Sequence, residues 1–236
     1  MKRKNDIKLN SVPLHCLNNE KIPIGIGTGF IIDMPDCDYL LTAHHVINNI
    51  QGDLGILREF LPGKGPLYVV LKNFSYPYIL DKKTNRIKSI VDFAYKKIPC
   101  KYDYSYQELI YPGIITISKP IKKFKIDQIK KPDTKSIYSF AGHTKPCNVA
   151  NIIFDTVLME HFDYKYIRTD ELEYVFKPPI KHPGDDFYSG CSGAPIVDEE
   201  NNLVSLLIRG DQEKDEIYGI NFELAVTAFK IDIGYN

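Results

Sequence analysis

Short runs rich in Ile, Val, Tyr, Phe and Thr recur along the whole chain, and Gly, Pro, Asn or Asp interrupts them at close intervals. β-Branched and aromatic side chains fit a pleated, half-buried surface, whereas the interrupting residues supply turns. The pattern predicts an all-β chain with strands at residues 24–32, 39–42, 68–71, 88–95, 114–117, 136–141, 152–159, 166–169, 194–197, 203–209 and 217–222. Helix signals are few: one turn at 46–50 and a short terminal helix at 223–230, neither with a long 3.6-residue period. Between 112 and 133 Lys, Pro and Ile alternate without a clean strand period, which predicts a linker. The chain is therefore expected to divide into an N-terminal β-unit, 1–112, and a linker with a C-terminal β-unit, 113–236. Each is the size of a six-stranded antiparallel barrel, and a cleft between two such barrels is a natural place for a site built from both.

Composition narrows the function classes. Thirty Lys plus Arg balance thirty Asp plus Glu, so no excess positive charge points to nucleic acid or anionic lipid as a partner. No stretch approaches the roughly 18 apolar residues of a membrane-spanning helix. The basic amino terminus lacks the apolar run of a secretory signal. Five cysteines, Cys16, Cys37, Cys100, Cys147 and Cys191, are odd in number and too scattered for a disulfide framework, so reduced thiols in a cytoplasmic setting are expected. The usual zinc-binding spacings are missing, and neither a metal nor an organic cofactor is expected.

The sharpest local signal is Ser189-Gly190-Cys191-Ser192-Gly193-Ala194-Pro195. Glycines on either side let the backbone fold tightly around Ser192 and bring its amides close to a substrate carbonyl. Amides of Gly190 and Ser192 are the candidate oxyanion hole. A serine hydroxyl is a poor nucleophile near neutral pH, so the chemistry needs a histidine base and a carboxylate to orient it. Leu40-Leu41-Thr42-Ala43-His44-His45-Val46 places two histidines at the end of an apolar strand, and Val91-Asp92-Phe93-Ala94 places one acid inside an apolar strand pattern. Taken singly, each has an ordinary structural explanation: a glycine-rich turn, a core histidine, an edge aspartate.

Together these segments resemble the trypsin-like serine protease family, with its chymotrypsin fold, and above all its compact bacterial branch related to the HtrA-type proteases. Gly27-Thr28-Gly29-Phe30 resembles the family's opening Gly-Ser/Thr-Gly-Phe strand, and Leu41-Thr42-Ala43-His44-His45-Val46 its Leu-Thr-Ala-Ala-His-Val. Asp92-Phe93-Ala94 resembles Asp-Leu-Ala, and Gly190-Cys191-Ser192-Gly193-Ala194-Pro195 resembles Gly-Asn/Asp-Ser-Gly-Gly/Ala-Pro. Phe140-Ala141-Gly142-His143 is a weaker match to a turn segment. The resemblance implies a double β-barrel and a serine endopeptidase acting on a protein or peptide. His45 is then the base, Asp92 the orienting acid, Ser192 the nucleophile, and an acyl-enzyme the intermediate. His44 takes the place of a small residue and is expected to be structural.

Departures from the family pattern refine these expectations. Secreted members carry Asp just before the serine, where it pairs with a new amino terminus after cleavage; Cys191 stands there, so that activation route is closed. The position of the cysteine that braces the histidine loop in many secreted members is Val46. The chain beyond Ser192 suffices to complete a second barrel but not to add a PDZ domain, which leaves room for an activating or targeting protein partner. Asp186, six residues before Ser192, is the substrate-pocket candidate. Ile208 falls near a wall position that is often Ser. Two rival readings use the same residues: a pseudoprotease whose cleft binds a peptide or protein, and a cysteine protease with Cys191 as nucleophile, which is displaced by one residue from where that nucleophile should be.

Overall fold

A computed structural model describes residues 7–48, 52–61, 65–98, 104–110, 115–149 and 153–235. The chain forms strands β1 (Val12–Leu17), β2 (Pro23–Met34) and β3 (Cys37–Thr42), a short helix α1 (His44–Asn48), then β4 (Asp53–Leu61), β5 (Gly65–Leu71), β6 (Tyr78–Leu80), β7 (Ile87–Ile90) and β8 (Ala94–Ile98). There follow β9 (Ser105–Ile110), β10 (Ile115–Pro120), β11 (Phe124–Lys125), β12 (Ile137–Val149), β13 (Ile153–Asp170), β14 (Glu173–Lys177), β15 (Pro195–Val197), β16 (Leu203–Asp211), β17 (Glu216–Ile220) and α2 (Phe222–Asp232).

The architecture is all-β with two main sheets, as the residue pattern predicts, and two small two-stranded sheets, β9-β10 and β6-β7. Strands β12-β13-β14-β17-β16-β15 close into a six-stranded barrel. The other main sheet has seven strands in the order β5-β4-β1-β2-β3-β8, and β11 adds to β2 in parallel through Phe124 opposite Ile32. Residues 27–32 of β2 are buried without alternation, the mark of a strand covered on both faces. The terminal helix spans 222–232, slightly longer than expected, and packs back onto the first sheet. Phe222 lies against Phe30 and Phe93, and Phe229 lies between Tyr39 and Tyr95. Such aromatic pairs add about 0.5–1.5 kcal/mol each beyond the area they bury.

Several elements differ from the sequence expectation. The stretch predicted as one strand at 88–95 is two, β7 and β8, broken at Val91-Asp92-Phe93, where the Phe93 amide donates to the Val91 carbonyl at 2.7 Å. The strands expected at 152–159 and 166–169 are one, β13, over its described residues 153–170, which absorbs irregularities in its pairing as bulges; residue 152 lies outside the described residues. Within the stretch read as a linker, the described residues 115–133 hold β10 where a strand was expected at 114–117, and also β11 and a 3-10 turn. Phe140-Ala141-Gly142-His143 is interior to β12 and buried, not a turn.

Candidate active site

His45 stands in the first turn of α1, three residues beyond the end of β3 rather than on the strand end expected for it. The helix is fixed by a close approach: a Cβ at Gly27 would run into the Val46 side chain, so only glycine lets α1 settle on β2. Asp92 sits in the break between β7 and β8 and reaches across to this helix. Its Oδ1 accepts the backbone N–H of His45 at 2.9 Å, and its Oδ2 lies 2.8 Å from His45 Nδ1. One carboxylate therefore caps the helix and aims the imidazole. Burial pushes the Asp92 carboxyl up, but the ring hydrogen bond, the His45 charge and the amide together hold it below the ordinary carboxylate value. The two side chains are 37% and 31% exposed, so the ring keeps a solvent-facing edge.

The neighbouring His44 turns to Tyr76 instead, with ring centroids 4.5 Å apart. Desolvation lowers its pKa, against a smaller upward pull from Asp92. That placement fits the structural role expected of it.

Ser192 is the second residue of the latter of two successive tight turns that share Cys191. The Cys191 amide donates to the Tyr188 carbonyl at 2.9 Å and the Ala194 amide to the Cys191 carbonyl at 2.9 Å. Gly190 (φ +96°) and Gly193 (φ +87°) occupy the third position of each turn, the position that requires positive φ in a type II turn and so favours glycine. The Gly193 amide donates to Leu207 at 2.7 Å. Among the described residues, no hydrogen bond uses the amides of Gly190 or Ser192. Below the first turn, the Tyr188 hydroxyl meets that of Tyr164 at 2.9 Å, and the rings of His161 and His182 lie 5.2 and 4.8 Å from the Tyr188 ring.

The serine loop belongs to the closed barrel and His45 to the helix that follows β3 of the other sheet, and contacts with β2 and the end of β3 hold the loop against that sheet. The Thr28 amide donates to the Ser192 carbonyl at 3.1 Å. A Cβ on Gly193 would overlap the Thr28 carbonyl and the Thr42 hydroxyl and crowd the Ala43 amide. Ala43 immediately precedes α1, so the residue after Ser192 packs against the chain that leads into His45. Thr42 Oγ1 in turn donates to the Thr28 carbonyl at 2.7 Å.

The remaining sequence candidates fall as follows. Cys191 is fully buried, and burial pushes its thiol up to about 12, which keeps it protonated and a poor nucleophile. Cys16, Cys37 and Cys191 are free thiols. Ile208 is buried, and among the described residues both hydrogen bonds to the Asp92 carboxylate come from His45. Asp186 belongs to a 3-10 turn, Asp185–Tyr188; its side chain lies outside the described residues. Thr28 and Thr42 carry contacts that residue reading did not assign. For Thr28 the available signal was a hydroxyl placed between Gly27 and Gly29 in an otherwise apolar strand.

No protein-family model and no curated protein matches the chain. Solved structures do. The protein GrC superposes with a TM-score of 0.59 at 10% identity, over 96% of this chain and 95% of that one. The tobacco vein mottling virus protease gives 0.52 at 12%, over 94% of this chain and 81% of that one. The serine endoprotease from Yersinia pestis gives 0.50 at 14%, over 95% of this chain, which spans 62% of that protein. The fold is the chymotrypsin-like double barrel. At these identities the likeness establishes fold alone.

Proposed function

We propose that this chain is a serine endopeptidase of the trypsin-like family, from the compact HtrA-related branch, and that it cleaves peptide bonds through an acyl-enzyme. The observation that carries the reading is the double hold of Asp92 on His45, at the ring and at the amide, in the helix that directly follows the Thr42-Ala43 segment against which Gly193 packs. With Nδ1–H given to Asp92, Nε2 of His45 carries the lone pair that takes the Ser192 hydroxyl proton. The Ser192 oxygen then bonds to the substrate carbonyl carbon, and negative charge moves to the carbonyl oxygen, where the amides of Gly190 and Ser192 receive it. On collapse the C–N bond breaks and the proton on Nε2 passes to the leaving amine. Water, deprotonated by the same nitrogen, hydrolyses the ester and restores Ser192.

Asp186 remains the candidate for the pocket that receives the substrate side chain, and a protein or peptide is the substrate class. No helix among the described residues is long and apolar enough to cross a membrane. The free thiols favour a reducing, cytoplasmic setting.

The test is intact-mass analysis after incubation with a fluorophosphonate, with Ser192→Ala in parallel. A single adduct mapped to Ser192, lost in the variant while its unfolding curve stays within about 1 kcal/mol of the parent, is the expected result. A folded parent protein that takes no adduct would overturn the reading and leave a pseudoprotease cleft that binds peptide without cutting it.

A further inference from the structure

Thr28 is fully buried on β2, yet its hydroxyl and amide both reach the closed barrel that carries the serine loop. Its hydroxyl accepts the His143 amide at 2.8 Å and donates to the Gly190 carbonyl at 2.8 Å. Its own amide donates to the Ser192 carbonyl at 3.1 Å. The peptide joining Gly190 to Cys191 is thereby fixed at both ends, through its C=O by the Thr28 hydroxyl and through its N–H by the Tyr188 carbonyl. The peptide joining Ser192 to Gly193 is fixed in the same way, through its C=O by the Thr28 amide and through its N–H by the Leu207 carbonyl. The Ser192 amide lies between these two clamped peptides, and the Gly190 amide lies immediately before the first. A peptide plane held at one end can rotate about its flanking bonds; held at both, it cannot without breaking a buried hydrogen bond.

We propose that Thr28 is a positioning residue of the active site: its side chain, reaching from the first sheet, locks the Gly190–Cys191 peptide and so sets the direction in which the two oxyanion amides point. This rests on the endopeptidase reading for its catalytic consequence but not for the clamp itself. His143 supplies the second half of the device. Its amide aims the Thr28 hydroxyl, because an oxygen that accepts from one side presents its proton to the other. Threonine is suited to the place, since its methyl group fills the apolar strand environment and its hydroxyl reaches the loop.

The experiment compares the parent, Thr28→Val, which keeps the shape and removes the hydroxyl, and Thr28→Ser, which keeps the hydroxyl. Two rates are read well below each protein's unfolding midpoint: phosphonylation of Ser192, and alkylation of the buried Cys191 thiol by a maleimide, assigned by peptide mapping. Thr28→Val is expected to slow the first by at least about tenfold and to speed the second by at least about tenfold, the size of one buried hydrogen bond. Thr28→Ser is expected to stay within about twofold of the parent in both. Cys191 alkylated at the parental rate in Thr28→Val, or equal impairment in the Val and Ser variants, overturns the proposal. If the parent takes no adduct at Ser192, the endopeptidase reading falls, and the Cys191 rates alone decide on the clamp. Amide exchange of the unaltered protein needs no variant: His143 and Cys191 amides should both be protected, and exchange of either at the rate of an open loop overturns the clamp.

Discussion

Asp92 does two jobs with two oxygens, and replacing one atom separates them. In Asp92→Asn the amide nitrogen can face His45 Nδ1 only as a donor, which moves the imidazole proton to Nε2 and leaves no lone pair for the Ser192 hydroxyl. The other amide atom can still accept the His45 backbone N–H, so α1 stays capped. The expected outcome is a fall of about ten thousandfold in phosphonylation rate, with little change in unfolding free energy; a variant that reacts within about tenfold of the parent would remove Asp92 from the mechanism. The candidates His45, Asp92 and Ser192 stand out in the sequence because each is embedded in a local pattern of a few residues. Thr28 stood out only as a hydroxyl between two glycines; what it holds was not legible, because its decisive partner, Gly190, is 162 positions away.

The serine loop depends at the level of elements on a space only glycine leaves. Gly193 combines positive φ with contact against the Thr28 carbonyl and the Thr42 hydroxyl, so a methyl group there is opposed by both the backbone conformation and the neighbouring sheet. The backbone term alone costs about 1–3 kcal/mol, and the overlap with a strand carbonyl, which cannot swing aside, adds to it. Gly193→Ala should therefore unfold at clearly lower denaturant and lose phosphonylation, because the loop must lift away from β2 and take Ser192 with it. A variant that retains parental reactivity would contradict the packing. The same distinction explains what sequence reading found and lost among the strands. Glycine, proline and apolar runs marked most strand positions. β1, β4, β6, β9, β11 and β14 escaped; in β1 Pro13 and His15 interrupt the pattern, and Pro13 is tolerated because β4 pairs with β1 only from Leu14 onward. The break at Asp92 escaped because the capping of α1 that occupies the carboxylate is a tertiary contact, invisible to periodicity.

At the scale of the whole molecule, three histidines are buried where protonation is opposed. Burial lowers His15 to about 4, lowers His143, which also feels the His15 charge, to about 3, and lowers His161 to about 4, all from an ordinary value of 6.5. In the unfolded chain these rings take up protons as pH falls through 6.5, while the native protein does not until about 4 or below. The unfolded state therefore binds more protons across that window, and stability rises with pH through it. Their contribution is fully present above 6.5 and is lost as pH falls toward 4. Each ring contributes up to about 1.4 kcal/mol per pH unit, so three together approach about 4 kcal/mol per unit near pH 5. Against a typical total of about 5–15 kcal/mol, that predicts acid unfolding well above the carboxylate range. Denaturant unfolding at a series of pH values between 4.5 and 7.5 measures the slope directly. His161→Phe offers an internal control, because its ring stacks on Phe140 at 4.5 Å and phenylalanine keeps that contact while removing the titrating group. The variant should lose about one third of the slope, and an unchanged slope would show that His161 does not titrate as its burial implies.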